Sequence, residues 1–416
     1  MATLSSHRPS RRGPSLALGL AFVAMFASAP GQSFLIAVFV DDMLEGTGLS
    51  RTVISTLYAL ATIVSATVSL ALGRAADALG LRVAWFAVAT GLACACLLAS
   101  IAAGLVLALL GLALLRAFGQ GSLPLLGTLI VNYWFPSRRG AAMAAASFGI
   151  TAGTIALPPL VALLIDGVGW RTAYRIVALV ILVVVLPLGL LLRRPAANAP
   201  ALDPGQPVAL PDVSVATAVR RSRRLRVDVP RREAALLLGV LSAPALVMTA
   251  LTFHAVSLLG GRGLSATAAA AALSAFGAAS AVATLASGVV ADRLSTRALL
   301  VTMSSALLAG PLLLLLADAA ALAYAGFVAA GLAGGLFGVT GGIAWARTYG
   351  LAGLGRLQGM STAAQITAAA AGPLPLALSL AVTGSYRAGL IFLALVAAAA
   401  LVAGARWSEP RVAAPS

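Results

Sequence analysis

The sequence predicts an all-α membrane protein of twelve transmembrane helices, arranged as two parallel six-helix bundles. Three observations carry that prediction. Hydrophobic residues make up 61% of the 416 positions and charged residues only 10%, where a soluble domain sits near half and a quarter. Twelve apolar stretches approach the roughly 20 residues a helix needs to cross a bilayer. The second half of the chain then repeats the first.

Apolar spans fall at 16–40, 52–72, 83–103, 105–131, 140–165 and 172–192, and again at 234–258, 266–290, 298–317, 319–345, 359–382 and 388–405. Before the first, His7, Arg8, Arg11 and Arg12 precede an apolar run holding Ala27-Ser28-Ala29, the pattern of a cleaved signal. Pro30 would follow the cut and the run continues through Val40, so a retained first helix is expected. Pro30 and Pro244 are expected to kink the first helix of each half. Cys94 and Cys96, two apart on the third span, point to different sides and suit packing rather than a disulfide or a metal. Glycines at 331, 334, 335, 338, 341 and 342 interrupt the tenth span and give it a small-residue face, as Gly149 and Gly153 do on the fifth. Residues 193–233 are rich in proline and arginine without apolar periodicity and read as a linker. The expected domains are 1–192 and 234–416, joined by 193–233.

Charge orients the spans. The net charge is +16 and all 28 basic residues are arginine, a usage that hints at a GC-rich bacterial genome. With both termini and the linker in the cytoplasm, inside loops collect 22 arginines and outside ends five (Arg51, Arg171, Arg175, Arg262, Arg387). That bias predicts a bacterial inner-membrane protein with both termini cytoplasmic. The linker run Arg220–Arg226 is read as contact with anionic lipid, not nucleic acid.

The repeat is gapless over 46–82 and 261–297, with 14 of 37 positions identical at an offset of 215. Six spans per half and a linker that does not cross give the two copies one orientation. Within the repeat, Gly73-Arg74-Ala75-Ala76-Asp77-Ala78-Leu79-Gly80-Leu81-Arg82 corresponds to Gly288-Val289-Val290-Ala291-Asp292-Arg293-Leu294-Ser295-Thr296-Arg297. In each, the glycine admits close helix approach, the carboxylate can cap a neighbouring helix N-terminus, and the arginine five residues on can pair with the carboxylate. Such contacts would hold the inner side shut in one state and break in another.

These two segments resemble the loop signatures of the major facilitator superfamily, and the resemblance covers essentially the whole chain. It implies a cytoplasmic gate built on Gly73, Asp77, Arg82, Gly288, Asp292, Arg293 and Arg297. The copies depart from the pattern at Ala78, where a basic residue is usual, and at Ser295, where glycine is. Arg116-Ala117-Phe118-Gly119-Gln120-Gly121 resembles the family's fourth-helix motif. Trp134-Phe135-Pro136-Ser137-Arg138-Arg139-Gly140-Ala141-Ala142-Met143, and the run from Gly149 through Pro158-Pro159 to Gly169-Trp170-Arg171, resemble its monocarboxylate and oxalate–formate branch. That branch carries charged substrate-binding residues on helices eight and eleven, where this chain has none.

Polar residues within the spans give candidates for a substrate or proton pathway. Gln32, Tyr58, Arg116, Gln120, Thr151 and Thr154 lie on spans one, two, four and five; Thr249, Thr252, His254, Ser274, Tyr324 and Gln365 lie on seven, eight, ten and eleven. A central cavity lined by those eight helices explains the sorting. Arg116 is the sole charge near mid-bilayer, where burial costs at least about 2.5–3.5 kcal/mol. It reads either as an anchor for an anionic substrate group or proton-linked switch, or as a structural residue bonded to Gln120 and carbonyls near a kink. His254, with an ordinary pKa near 6.5, reads either as a proton-coupling group or as a neutral ring bonded to a neighbouring hydroxyl.

No Walker lysine, metal-ligating cluster or Ser-His-Asp arrangement is present, so an ATP-driven pump, an enzyme and a cofactor or metal protein are not expected. The sequence predicts a monomeric secondary transporter moving a small solute, an organic anion being one candidate, driven by a proton gradient or exchange. The competing readings are a non-transporting sensor or assembly factor on the same scaffold, and efflux of a hydrophobic compound.

Overall fold

A computed structural model describes residues 12–49, 51–192, 231–317 and 319–408. Among the described residues, twelve helical spans are long and apolar enough to cross a membrane. Spans one to six are Gly13–Val40, Leu60–Leu79 (the end of a longer helix, Arg51–Leu79), Leu81–Ser100, Gly104–Trp134, Arg139–Val168 and Trp170–Leu191. Spans seven to twelve are Arg231–Phe253, Ala271–Ala291 (within the helix Ala266–Ala291), Thr296–Leu315, Ala320–Tyr349, Leu354–Thr383 and Arg387–Arg406. Each overlaps its expected counterpart. Span seven already begins at Arg231, so the last residues expected in the linker are helical. The arginine run 220–226, the rest of the linker, the residues before Arg12, Arg411 and Asp318 lie outside the described residues.

Where helices break, the sequence misled only at the glycines of span ten. Span one does break at the expected proline, through a short 3-10 turn at Ala29–Gly31, because Pro30 has no N–H to donate. Gly31 is held so close to span four that a Cβ would overlap the Leu115 carbonyl and the Gly119 backbone. Pro244, by contrast, lies inside an unbroken Arg231–Phe253 helix. Membrane helices tolerate proline when neighbours re-satisfy the freed backbone. The break in span seven comes ten residues later, at His254 (φ −94°, ψ 6°).

Span ten is not interrupted by its glycines. Ala320–Tyr349 is one helix. Gly331 and Gly335 instead face the Phe276 and Ser280 carbonyls of span eight, leaving no room for a Cβ. Without water to compete for the backbone, glycine here sets packing distance rather than ending the helix. Gly149 does the same on span five against the Phe22 carbonyl. Of the two cysteines, Cys94 is exposed and Cys96 buried, on opposite sides of span three.

The two halves meet at the face that carries the chain termini. One apolar core runs through spans one to six and continues into the termini-face ends of spans seven to twelve, through Leu241, Leu300, Met303, Ile343, Trp345 and Leu357. The far ends of spans seven to twelve form a separate core around Val247, Leu251, Phe327, Leu376 and Leu393. Span two packs along span eleven and span five along span eight, while the far segments of spans one, seven and eleven pack within their own halves.

Candidate functional site

At the termini face the duplicated signatures build two matching clasps between the halves. Asp77, at the end of span two, accepts the backbone N–H groups of Gly355 and Arg356, both at 2.7 Å, in the first turn of span eleven. Asp292, at the end of span eight, accepts those of Gly140 (2.7 Å) and Ala141 (3.1 Å) in the first turn of span five. Each carboxylate therefore caps a helix N-terminus of the other half, where unsatisfied N–H groups and the helix dipole favour negative charge. The glycines make the approach possible. A Cβ at Gly73 would overlap the Gly355 carbonyl, and one at Gly288 would lie 2.5 Å from the Ala144 Cβ.

The arginines of the signatures do not do what the spacing suggested. Among the described residues, Arg82 and Arg297 make no ion pair with the carboxylates. Gly80, with φ +87°, ends span two and turns the chain, so Arg82 starts a new helix with its side chain exposed. Arg293 and Arg297 are likewise exposed. The cation at Asp292 is Arg347 of span ten, 3.2 Å away, which also donates to the carbonyls of Ala291 (2.7 Å) and Leu294 (3.3 Å). Asp77 has no such partner among the described residues. Arg347 stands outside the repeated segment, so the spacing within the signature could not point to it.

A second polar cluster lies within the first half. Arg116 opens a π-helical stretch of span four, Arg116–Ser122, and is 3% exposed. Its guanidinium donates to the Thr62 hydroxyl (3.0 Å), the Ser33 hydroxyl (3.3 Å) and, at 3.5 Å, the Gly31 carbonyl. It also stands 4.3 Å from the centre of the Tyr58 ring, a cation–π contact. The Tyr58 and Ser33 hydroxyls are 2.5 Å apart, and Ser65 donates to the Arg116 carbonyl at 2.9 Å. The structural partner expected for Arg116, Gln120, is not used. A π turn is wider than an α turn, so residues four apart no longer share a face. The buried Gln120 Oε1 has no protein partner.

The other candidates are held locally. Gln32 donates to the Ser28 hydroxyl at 3.1 Å and Gln365 to Ser361 at 2.9 Å, each within its own span. Thr154 and Thr252 bond carbonyls one turn back. Tyr324 donates to the Ala268 carbonyl (2.9 Å), tying span ten to the start of span eight. His254 places Nε2 3.1 Å from the Pro373 carbonyl and Nδ1 3.5 Å from the Tyr386 hydroxyl. A carbonyl only accepts, so Nε2 is the donor to Pro373, while the Tyr386 hydroxyl can either donate to or accept from Nδ1. The structure thus gathers Arg116 and Tyr58, adds Ser33 and Thr62, and leaves His254 bonded within the second half. Ser33 and Thr62 carry no signal in the sequence that separates them from the other hydroxyls of the spans, most of which bond their own helix.

A family model described as Major Facilitator Superfamily matches residues 20–317, more than half of the chain. No curated protein matches. Among solved structures, the E. coli fucose:proton symporter FucP, as its N162A variant, superposes with a TM-score of 0.71 at 15% identity, covering 96% of this chain and 100% of that one. A double-tryptophan variant of XylE gives a TM-score of 0.71 at 14% identity, over 94% of each chain. XylE described as a proton:xylose symporter, bound to 6-bromo-6-deoxy-D-glucose, gives 0.67 at 13%, over 96% of each. At such identities the likeness is one of fold. Twelve spans, a parallel repeat, paired carboxylate clasps between the halves and the family match lead to one assignment: the chain belongs to the major facilitator superfamily.

Proposed function

We propose that this protein is a secondary transporter that moves a small solute by alternating access, with residues 1–192 and 234–416 as the two rocking units and 193–233 linking them. The pair of clasps carries this reading. A carboxylate on a helix N-terminus is a strong contact when dry and is readily exchanged for water when the seam parts, which suits a joint that must open and close. The arginine bias supports a cytoplasmic position for the clasped face, and the proposed cytoplasmic gate is then built on Gly73, Asp77, Gly288, Asp292 and Arg347, with Arg82, Arg293 and Arg297 at its exposed rim. The chain is proposed to act as a monomer in the bacterial inner membrane.

For the solute, an organic anion is favoured. Arg116 is the one charge in the middle of the described spans, and the exposed Ser33 hydroxyl beside it can take part in binding. The resemblance to the monocarboxylate and oxalate–formate branch points the same way, although the binding charge would then sit on span four and not on spans eight and eleven. Coupling to protons or to exchange follows from the absence of any nucleotide site in the reading of the sequence; the proton symporters of like fold support the first.

The test is counterflow in proteoliposomes. Vesicles preloaded with an unlabelled organic anion should accumulate the labelled form, and the Arg116→Gln variant should not. Failure of every tested solute to exchange, with the protein folded, would favour a non-transporting sensor on the same scaffold.

A further inference from the structure

Between the two clasps the halves are joined by a third tie that carries no charge. Asn132, near the termini-face end of span four, is fully buried. Its Nδ2 donates to the Gly342 carbonyl of span ten, in the other half, at 2.7 Å, and to the Thr128 carbonyl one turn back at 2.8 Å. Gly342 leaves the carbonyl within reach, and a Cβ there would lie 2.6 Å from the Met143 sulfur. Fully buried Met143 of span five thus covers the contact from the side. Gln358 of span eleven donates to the adjacent Gly341 carbonyl at 3.2 Å, so two side-chain amides meet two consecutive carbonyls of span ten. Next in sequence, Tyr133 reaches the Leu351 carbonyl of the second half at 3.4 Å.

We infer that Asn132 is a positioning residue for closure: a neutral latch that sets the register of span four on span ten when the termini face shuts. The inference rests on the alternating-access reading above. Among the described residues Asn132 Oδ1 has no partner, so the amide's tie to the other half is the one N–H on the Gly342 carbonyl, a bond made in one relative placement of the two halves. Displaced by a turn, that N–H would be buried without a partner while the bond to Thr128 within span four remains, at a cost of about 1–3 kcal/mol. Single buried asparagines set register between packed helices in coiled coils by the same logic. Being uncharged, the latch would hold at any pH or salt concentration that loosens the carboxylate clasps. It also has no copy. The repeat offset of 217 that pairs Arg139 with Arg356 places Tyr349 opposite Asn132, so the latch belongs to one half.

Spin labels at Ser137→Cys in the first half and Ala352→Cys in the second, both exposed at the termini face, read the gap between the halves in a background where Cys94 and Cys96 are alanine. The Asn132→Ala variant should shift the ratio of short to long distances by about five-fold or more toward long, the effect of roughly 1 kcal/mol. Asn132→Leu, which keeps side-chain volume but cannot donate, should shift it in the same direction. A parent-like distribution in Asn132→Leu would overturn the inference, whether or not the alanine variant shifts, because packing alone would then hold the seam. Should the alanine variant not fold, the leucine variant decides. The distances are read without any substrate, so this outcome is separate from the success or failure of the counterflow assay.

Discussion

At Arg116 the energetic problem posed by a mid-bilayer charge has a local answer. Two hydroxyls, a carbonyl and an aromatic face surround the guanidinium, and its planar fork matches several acceptors at once in a way a lysine ammonium cannot. Arg116→Lys should therefore cost about 1–3 kcal/mol in a chemical-denaturation or thermal assay and also weaken uptake. Full uptake and affinity in that variant would remove Arg116 from substrate binding. Tyr58→Phe should lose the contact to Ser33, about 1 kcal/mol, while keeping the ring under the guanidinium. His254 has the opposite standing. Both its ring nitrogens are held by partners within the second half, so His254→Gln is expected to leave the pH profile of uptake unchanged. A shifted profile would restore it to the proton path.

On the scale of helices and their joints, the two clasps share a design but differ in strength. Asp292 caps a helix and pairs with Arg347, whereas Asp77 caps a helix without a salt-bridged side chain among the described residues. Asp292→Asn should open the termini face further than Asp77→Asn, because it removes the ion pair with the partly buried Arg347 as well as weakening the cap. Paired distance measurements on the two variants check the order, and the reverse order would contradict it. The carboxylates and glycines were legible because a gapless repeat exposes what both copies keep; that the capped helix N-termini belong to the other half was not. The arginine partners were not. Pairing depends on which helix face Gly80 sends the chain to, and on span ten supplying a cation from outside the repeat. The prolines were legible as sites of distortion, but its extent was not: Pro30 ends a helix and Pro244 lies inside a continuous one, since the outcome depends on neighbouring helices that local sequence does not specify. For span ten, Gly335→Val should destabilise the protein by about 1–3 kcal/mol, as a side chain there would meet the Ser280 carbonyl.

Across the whole molecule, composition and periodicity made the fold readable before any contact was known. A helix that crosses a bilayer must be apolar for its full length, so twelve spans and their order stand out more clearly than helices of a soluble protein would. What composition could not convey is how the halves are set against each other: one core shared at the termini face, a separate core at the far end of the second half. The proposed alternating access rests on that arrangement. It is tested most directly by spin-label distances across both faces of one protein, Ser137 to Ala352 at the termini face and Glu45 to Ser257 at the other, with the clasps intact and with Asp77→Asn and Asp292→Asn combined. The account predicts opposite changes, with the termini-face distance lengthening and the far distance shortening in the double variant. Both distances lengthening together, or neither changing, would contradict it.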